Sequence, residues 1–144
     1  MPETWNAGRD NTQIQFILGH IIEWFYHYLA GIQLDPQSPG FKHFIIHPDI
    51  VGNLTSVNCS YDSIHGKIVS EWKLAQNQIT LHVIVPPNTT ATIDVPTSDG
   101  SSVMENGNPI EKSGGIKILD FKNSSAAYEV GSGDYRFEAK FPSK

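Results

Sequence analysis

The sequence predicts a mainly β protein in which one long amphipathic helix precedes an antiparallel β-sandwich of about eight strands. Three observations predict it. Apolar residues recur at helical spacing near the start, proline and glycine then end that spacing, and short runs rich in β-branched and aromatic residues follow. The chain has 144 residues, 39% hydrophobic and 17% charged, a composition that supports one buried core and argues against disorder.

The helix is predicted from about residue 12 to about residue 30. Thr12 with Gln15 resembles a capping box, and Gly31 stands where a helix commonly ends in the left-handed conformation. The apolar positions at helical spacing are Ile14, Ile17, Leu18, Ile21, Trp24, Phe25, Tyr28 and Leu29. Because they spread around much of the helix, one sheet cannot cover them all. We therefore expect a second helix to cover them, from preceding sequence or from another copy of the chain.

A turn-rich segment, residues 33–40, separates the two parts of the chain. Two prolines and a glycine there end the helical period, since proline lacks a backbone donor and disfavours helix before it. We predict two domains, a helical one over residues 1–34 and a β-sandwich over residues 35–144. The predicted strands are Phe41–His47, Leu54–Tyr61, Gly66–Leu74, Gln78–Val85, Thr89–Val95, Ile116–Phe121, Ala126–Val130 and Tyr135–Phe141. Strict alternation in the fourth strand predicts a core face made of Ile79, Leu81, Val83 and Val85.

Charge and composition exclude several classes of protein. Fifteen acidic against ten basic residues give a net charge of −5, which disfavours binding to nucleic acid. The apolar runs are much shorter than the roughly 20 residues of a membrane helix. No signal peptide is visible, which favours the cytoplasm, with the periplasm open if residues preceding Met1 have been lost.

Histidine and cysteine spacing predicts neither a metal site nor a cofactor. His20 and His27 are two helical turns apart, and His43 and His47 lie roughly 13 Å apart on a strand, so neither pair matches zinc ligation. The second pair is expected on a solvated strand face. Cys59 is the only cysteine and is expected to act as a small buried hydrophobic residue.

Several motifs, in order along nearly the whole chain, carry a family resemblance. They are Glu23-Trp24-Phe25-Tyr26, Leu29-Ala30-Gly31-Ile32, Asp35-Pro36, Pro39-Gly40-Phe41-Lys42, Ile45-Ile46-His47-Pro48, Ser60-Tyr61-Asp62-Ser63-Ile64-His65-Gly66 and Val85-Pro86-Pro87-Asn88. This order resembles the C-terminal part of bacterial α-L-rhamnosidases, glycoside hydrolase family 78. The resemblance implies that the chain contains the last helix of an (α/α)6 catalytic barrel followed by the family's C-terminal sandwich.

The resemblance also implies an inverting parent enzyme, which needs one carboxylic acid and one carboxylate on opposite sides of the sugar. The family's general acid lies upstream of this chain, so the isolated chain is expected to be inactive. Glu3-Thr4-Trp5 resembles the stretch that holds the family's general base. Glu3 is thereby the candidate base and Trp5 a wall of the sugar pocket, unless Glu3 is an ordinary flexible terminal residue. Gln15 replaces a sugar-contacting histidine and can still bond a hydroxyl group.

Three functions remain open from the sequence. The first is a structural, non-catalytic tail of a rhamnosidase-like enzyme, with the catalytic barrel as partner. The second is a carbohydrate-binding module for a rhamnose-containing glycan, which needs an exposed aromatic platform; Tyr61, Trp72 and Tyr135 are the candidates. On its strand, Trp72 is otherwise expected in the core or at its rim. The third is a protein that dimerises through its helix.

Overall fold

Residues 20–122 and 124–141 are described by a computed structural model. They form two β-sheets packed face to face, preceded by a short helical segment. The strands are β1 (Ile32–Leu34), β2 (His43–Ile46), β3 (Ser56–Ser63), β4 (Gly66–Ala75), β5 (Gln78–Val85), β6 (Thr90–Pro96), β7 (Met104–Glu105), β8 (Asn108–Pro109), β9 (Ile116–Lys122), β10 (Ser125–Val130) and β11 (Gly133–Lys140).

The strand order is β1-β2-β6-β10-β9 in the first sheet, called sheet A, and β3-β4-β5-β11-β7-β8 in the second, called sheet B. Neighbouring strands are antiparallel except β2 and β6, which run parallel. The predicted β-sandwich is therefore confirmed. Three short 3-10 helices, Pro39–Phe41, Gly100–Ser102 and Ile110–Lys112, lie in the connections.

The helical segment differs from the prediction of one long helix. It has five α-helical residues, α1 (His20–Trp24), followed by five π-helical residues, Phe25–Leu29. The amide of Ala30 closes the last wide turn by donating to the carbonyl of Phe25 at 3.0 Å. The predicted residues 12–19 lie outside the described part of the chain. The π-helical turn coincides with a change of hydrogen-bond partners. The carbonyls of residues 27–31 accept hydrogen bonds from the sandwich and its loops.

All eight predicted strands are present, and their ends differ from the predicted ones by at most two residues. The sequence reading missed three short strands. β1 lies at the edge of the segment that was read as turn-rich, and it pairs with β2 in sheet A. β7 and β8 form a hairpin whose turn residues, Asn106 and Gly107, both have positive φ, 47° and 78°. An Asn-Gly pair is a strong hairpin signal, so this hairpin could have been predicted.

The core lies between the two sheets. The four predicted core residues of β5 are all buried, which confirms the predicted face. Tyr128 of sheet A and Phe137 of sheet B stack with ring centroids 5.7 Å apart, joining the sheets at the centre. Trp72 is 2% exposed and faces inward with Ser70 and Ile68, as expected for a core position.

No helix within residues 20–122 and 124–141 is long and apolar enough to cross a membrane.

Candidate functional site

The sandwich binds the end of the helix through backbone carbonyl groups. The last carbonyls of a helix have no partner inside the helix and need donors from elsewhere. Two such donors are side chains of β4. The indole Nε1–H of Trp72 donates to the carbonyl of Leu29 at 2.8 Å, and the hydroxyl of Ser70 donates to the carbonyl of Ala30 at 2.6 Å. Buried side chains of sheet B therefore hold the helix end directly.

Three more donors complete this contact. The side-chain amide of Gln33 donates to the carbonyl of His27 at 3.2 Å. The backbone amides of Asp49 and His47 donate to the carbonyls of Tyr28 and Gly31, both at 2.9 Å. Five successive carbonyls, residues 27 to 31, thus each accept one hydrogen bond from outside the helix. We call this set of bonds the carbonyl clamp.

Gly31 is required by the clamp geometry. Its φ is 72°, so it has the left-handed conformation that the sequence predicts for the helix end. A Cβ added to Gly31 would lie 2.2 Å from the carbonyl carbon of His47 and 2.3 Å from the nitrogen of Pro48. Both are backbone atoms, so no side chain can move aside. Glycine alone lets the helix end approach the loop after β2.

A titratable group lies in the same loop. His47 Nδ1 is 2.8 Å from Oδ2 of Asp94, and His47 Nε2 is 3.9 Å from Oδ1 of Asp49. The hydrogen bond to Asp94 raises the pKa of the His47 imidazole above its ordinary value, although partial burial opposes the shift. Because the backbone amide of His47 bonds to Gly31, this ion pair also supports the clamp.

The other side of the helix is uncovered within the described residues. Its large apolar side chains point to solvent, and Trp24 is 40% exposed. The exposed set is Ile21, Ile22, Trp24, Phe25, Tyr26 and Tyr28. We call it the outward helix face. As expected from the sequence, the sandwich alone does not cover the helix.

The candidate catalytic and sugar-binding residues Glu3, Trp5 and Gln15 lie outside the described residues. Within those residues the three aromatic candidates do not form an exposed platform. Trp72 is in the core, and Tyr135 donates its hydroxyl to the carbonyl of Gly131 at 3.1 Å. Tyr61 packs against other aromatic rings. Trp72 and Tyr135 lie at inward positions, opposite the buried Leu81 and Val83 of β5. Tyr61 is 37% exposed, so it is the one candidate of the three on the surface.

Three histidines, His43, His47 and His82, bond to side chains of neighbouring strands. His43 bonds to the hydroxyls of Thr90 and Thr92 on the outer face of sheet A, which confirms the predicted solvated face. Among residues 20–122 and 124–141, no group of three or more His, Cys, Asp or Glu side chains is arranged so that it could hold one metal ion.

Sequence reasoning missed His82 on the outer face of sheet B. It lies between Glu71 at 3.2 Å and Asp134 at 2.9 Å, beside an open cleft of about 430 Å³. Glu71, His82 and Asp134 lie on three neighbouring strands and come together only when these strands pair. Their spacing along the sequence therefore could not predict the cluster.

Partial burial raises the pKa of the Cys59 thiol above its ordinary value. Cys59 packs against the core, in agreement with its expected role as a small hydrophobic residue.

Comparison with known proteins places this geometry in a family. Residues 31–109 match the family model described as bacterial alpha-L-rhamnosidase C-terminal domain. An alpha-L-rhamnosidase of Formosa agariphila is 29% identical over 139 residues, 96% of this chain and 15% of that protein. One of Streptomyces avermitilis is 29% identical over 127 residues, 88% of this chain and 11% of that protein.

Comparison with solved structures also matches the chain to alpha-L-rhamnosidases. The Streptomyces avermitilis alpha-L-rhamnosidase complexed with L-rhamnose superposes with a TM-score of 0.76 at 28% identity, covering 97% of this chain and 14% of that one. The enzyme from Dictyoglumus thermophilum gives a TM-score of 0.76 at 26% identity, covering 96% of this chain and 16% of that one. The chain thus spans only a small C-terminal part of its relatives. It belongs to the bacterial α-L-rhamnosidase C-terminal domain family and is an accessory domain of such enzymes.

Proposed function

We propose that this chain braces the catalytic barrel of an inverting α-L-rhamnosidase-like glycosidase and has no turnover of its own. The enzyme of which it forms the C-terminal part is called the parent below. The single observation that carries the proposal is the carbonyl clamp, because it fixes the end of a helix whose other side is left for another domain. In this proposal residues 1–34 belong to the barrel and residues 35–144 form the brace, and β1 (Ile32–Leu34), which pairs with β2 in sheet A, joins the two parts.

The outward helix face supports a helical partner. Apolar ridges on one helix pack into the grooves of another, and the face offers side chains on successive turns. The relatives that match this chain are much longer, so a preceding domain of the same polypeptide is the partner we propose. A second copy of the chain is the competing occupant, and the tests below distinguish the two.

Catalysis by the parent needs two carboxyl groups roughly 6.5–9.5 Å apart, one on each side of the sugar. We propose Glu3 as the general base in the parent, with Trp5 and Gln15 contacting the sugar. The general acid would come from the preceding barrel. The brace would then hold the helix that follows the base, and so help to fix the base relative to the acid.

The clamp is tested by Trp72→Phe in the parent. This change keeps an aromatic ring but removes the donor to Leu29, which leaves a buried carbonyl unpaired at a cost of about 1–3 kcal/mol. We expect reduced hydrolysis of an aryl α-L-rhamnoside at a temperature where the variant is still folded. Phe137→Leu is the matched control, because it also weakens the core, where Phe137 stacks on Tyr128, but Phe137 takes no part in the carbonyl clamp. Equal losses of activity in the two variants would contradict a specific role for the clamp.

The absence of turnover is tested on the 144-residue chain with the same substrate. We expect no hydrolysis by the chain and strong loss in the parent on Glu3→Gln. Near-normal activity of that parent variant would remove Glu3 as the base. A dimer of the 144-residue chain that Trp24→Lys dissociates, together with a parent that lacks a helical domain, would favour the second copy as partner.

A further inference from the structure

An aromatic and aliphatic strip continues the outward helix face across one end of the sandwich. Tyr26 of the helix packs edge to face on Tyr61 of β3, with ring centroids 6.0 Å apart. Tyr61 in turn lies 4.8 Å from Phe41, which follows Gly40. A Cβ built on Gly40 would lie 3.4 Å from Cδ1 of Ile64, so Ile64 borders the same surface. We call Tyr26, Phe41, Tyr61 and Ile64 the Ile64 strip.

Ile64 occupies an unusual place for an apolar residue. It lies at the tip of the β3–β4 hairpin and is 85% exposed, more than any other large hydrophobic residue of the described chain. Turn positions of this kind normally carry glycine or polar residues. At this exposure the side chain buries little area against the sandwich, which leaves most of it available for contact with another domain.

The hairpin tip is held rigid before any such contact. The hydroxyl of Ser63 donates to the carbonyl of Gly66 at 2.7 Å and accepts from the amide of His65 at 3.1 Å. Gly66 closes the turn with φ of 125°, a conformation that L-residues rarely adopt. These bonds hold the backbone on both sides of Ile64, so less backbone entropy is lost when its side chain docks.

We propose that the Ile64 strip is a second docking surface for the helical domain that precedes the chain, with Ile64 inserted between helices of that domain. The inference rests on the proposed function and adds a contact to it. The strip is continuous with the outward helix face through Tyr26, so one partner can cover both surfaces. The carbonyl clamp joins the sandwich to the helix at the helix end only. A contact at the hairpin tip would add a second point of attachment to the helical domain.

A comparison surface exists at the far edge of sheet A. Ile118 of β9 is 54% exposed, and β9 lies at the opposite edge of the sheet from β1, which follows the helix. Ile118 therefore serves as a matched control, being an exposed isoleucine on a strand that is not continuous with the helix.

The proposal is tested by photo-crosslinking in the parent, with benzoylphenylalanine placed at position 21, 64 or 118 in turn. Position 21 reports the outward helix face, position 64 the Ile64 strip and position 118 the control. We expect positions 21 and 64 to link within one polypeptide to residues that precede the chain, and position 118 to form no such link. Links at 21 without links at 64 would overturn the second docking surface and leave the proposed function standing. Absence of links at both positions would overturn both, and links between two copies would assign the surface to self-association.

Substitution gives an independent readout. Ile64→Asp is expected to lower the unfolding midpoint of the parent and to leave that of the 144-residue chain unchanged, because Ile64 makes little contact inside the sandwich. Ile118→Asp is expected to change neither midpoint. Equal shifts for Ile64→Asp in the parent and in the chain would mean that Ile64 acts inside the sandwich, which contradicts the proposal.

Discussion

The two sides of the helix end are built from different chemistry. Towards the sandwich, five backbone carbonyls accept hydrogen bonds from two buried side chains of β4, from Gln33 of β1 and from two amides that follow β2. Away from the sandwich, the helix presents large apolar side chains that are partly exposed, of which Tyr26 also touches Tyr61. Directional hydrogen bonds therefore hold the helix to the sandwich, while its other side offers non-directional apolar area. This division predicts where substitutions lower stability. Changes in the clamp should destabilise the 144-residue chain itself, whereas changes on the outward helix face should destabilise mainly the parent.

The largest effect is expected at Gly31. Gly31→Ala places a methyl group against the backbone of His47 and forces a residue with a side chain into positive φ. We expect a loss of about 4 kcal/mol or more in the free energy of unfolding of the 144-residue chain, measured by denaturant titration. Gly107→Ala is the control, since Gly107 also has positive φ but open space around it, and should cost about 1 kcal/mol. Equal costs would show that the close approach at Gly31 is not needed.

The next effect is expected at Ser70, which is fully buried. Ser70→Ala removes the donor to the carbonyl of Ala30, and the unpaired carbonyl costs about 1–3 kcal/mol. Ser60→Ala, on the exposed face of β3, should change stability by less than about 0.5 kcal/mol. Combined with Trp72→Phe in a double-mutant cycle, Ser70→Ala tests whether the clamp acts as a unit. Strictly additive losses would mean that the clamp bonds are independent.

A smaller effect is expected from the charge of His47. Because the folded pKa of His47 is raised, its stabilisation is fully present below the unfolded pKa of about 6.5. It is lost as the pH rises through the folded pKa. Partial exposure of both partners limits the loss to less than about 1 kcal/mol. His47→Gln and Asp94→Asn should each flatten this part of the curve of unfolding free energy against pH. An unchanged curve in Asp94→Asn would contradict the ion pair as the cause.

The smallest effect is expected on the outward helix face. Trp24→Gln should change the stability of the 144-residue chain by less than about 0.5 kcal/mol, because the ring is 40% exposed and its recorded ring contacts are to Phe25 and Tyr28 of the same helical segment. The same change in the parent should cost several times more, because a buried large side chain stabilises by about 1.5–3 kcal/mol. A large loss in the chain that depends on protein concentration would instead show that a second copy covers the face.

Local patterns account for what could be predicted from the sequence. Alternation along β5 and turn residues between the runs located the eight longer strands and the core face. The same kind of signal, Asn106-Gly107, was present for the β7–β8 hairpin. The end of the helix at Gly31 was predicted in the same way, but the π-helical winding of Phe25–Leu29 was not, because apolar spacing does not distinguish it from an α-helix.

The clamp had no local signal. Trp72 and Leu29 are 43 positions apart, and only the packing of sheet B against the helix end brings the indole to that carbonyl. Sequence reading placed Trp72 in the core but could not tell which group its nitrogen would meet. Glu3, Trp5 and Gln15 remain predictions that rest on the family resemblance.

The carbonyl clamp contacts the helix through backbone carbonyls, and none of its five acceptors is a side chain. Every residue type offers the same backbone carbonyl, so most substitutions along residues 27 to 30 that preserve the helical winding leave the acceptors in place. Side chains on the outward side of the helix can therefore be exchanged without removing an acceptor of the clamp. Substitutions at Gly31, Ser70 and Trp72 instead disturb the attachment directly, because these residues supply its close approach and two of its donors.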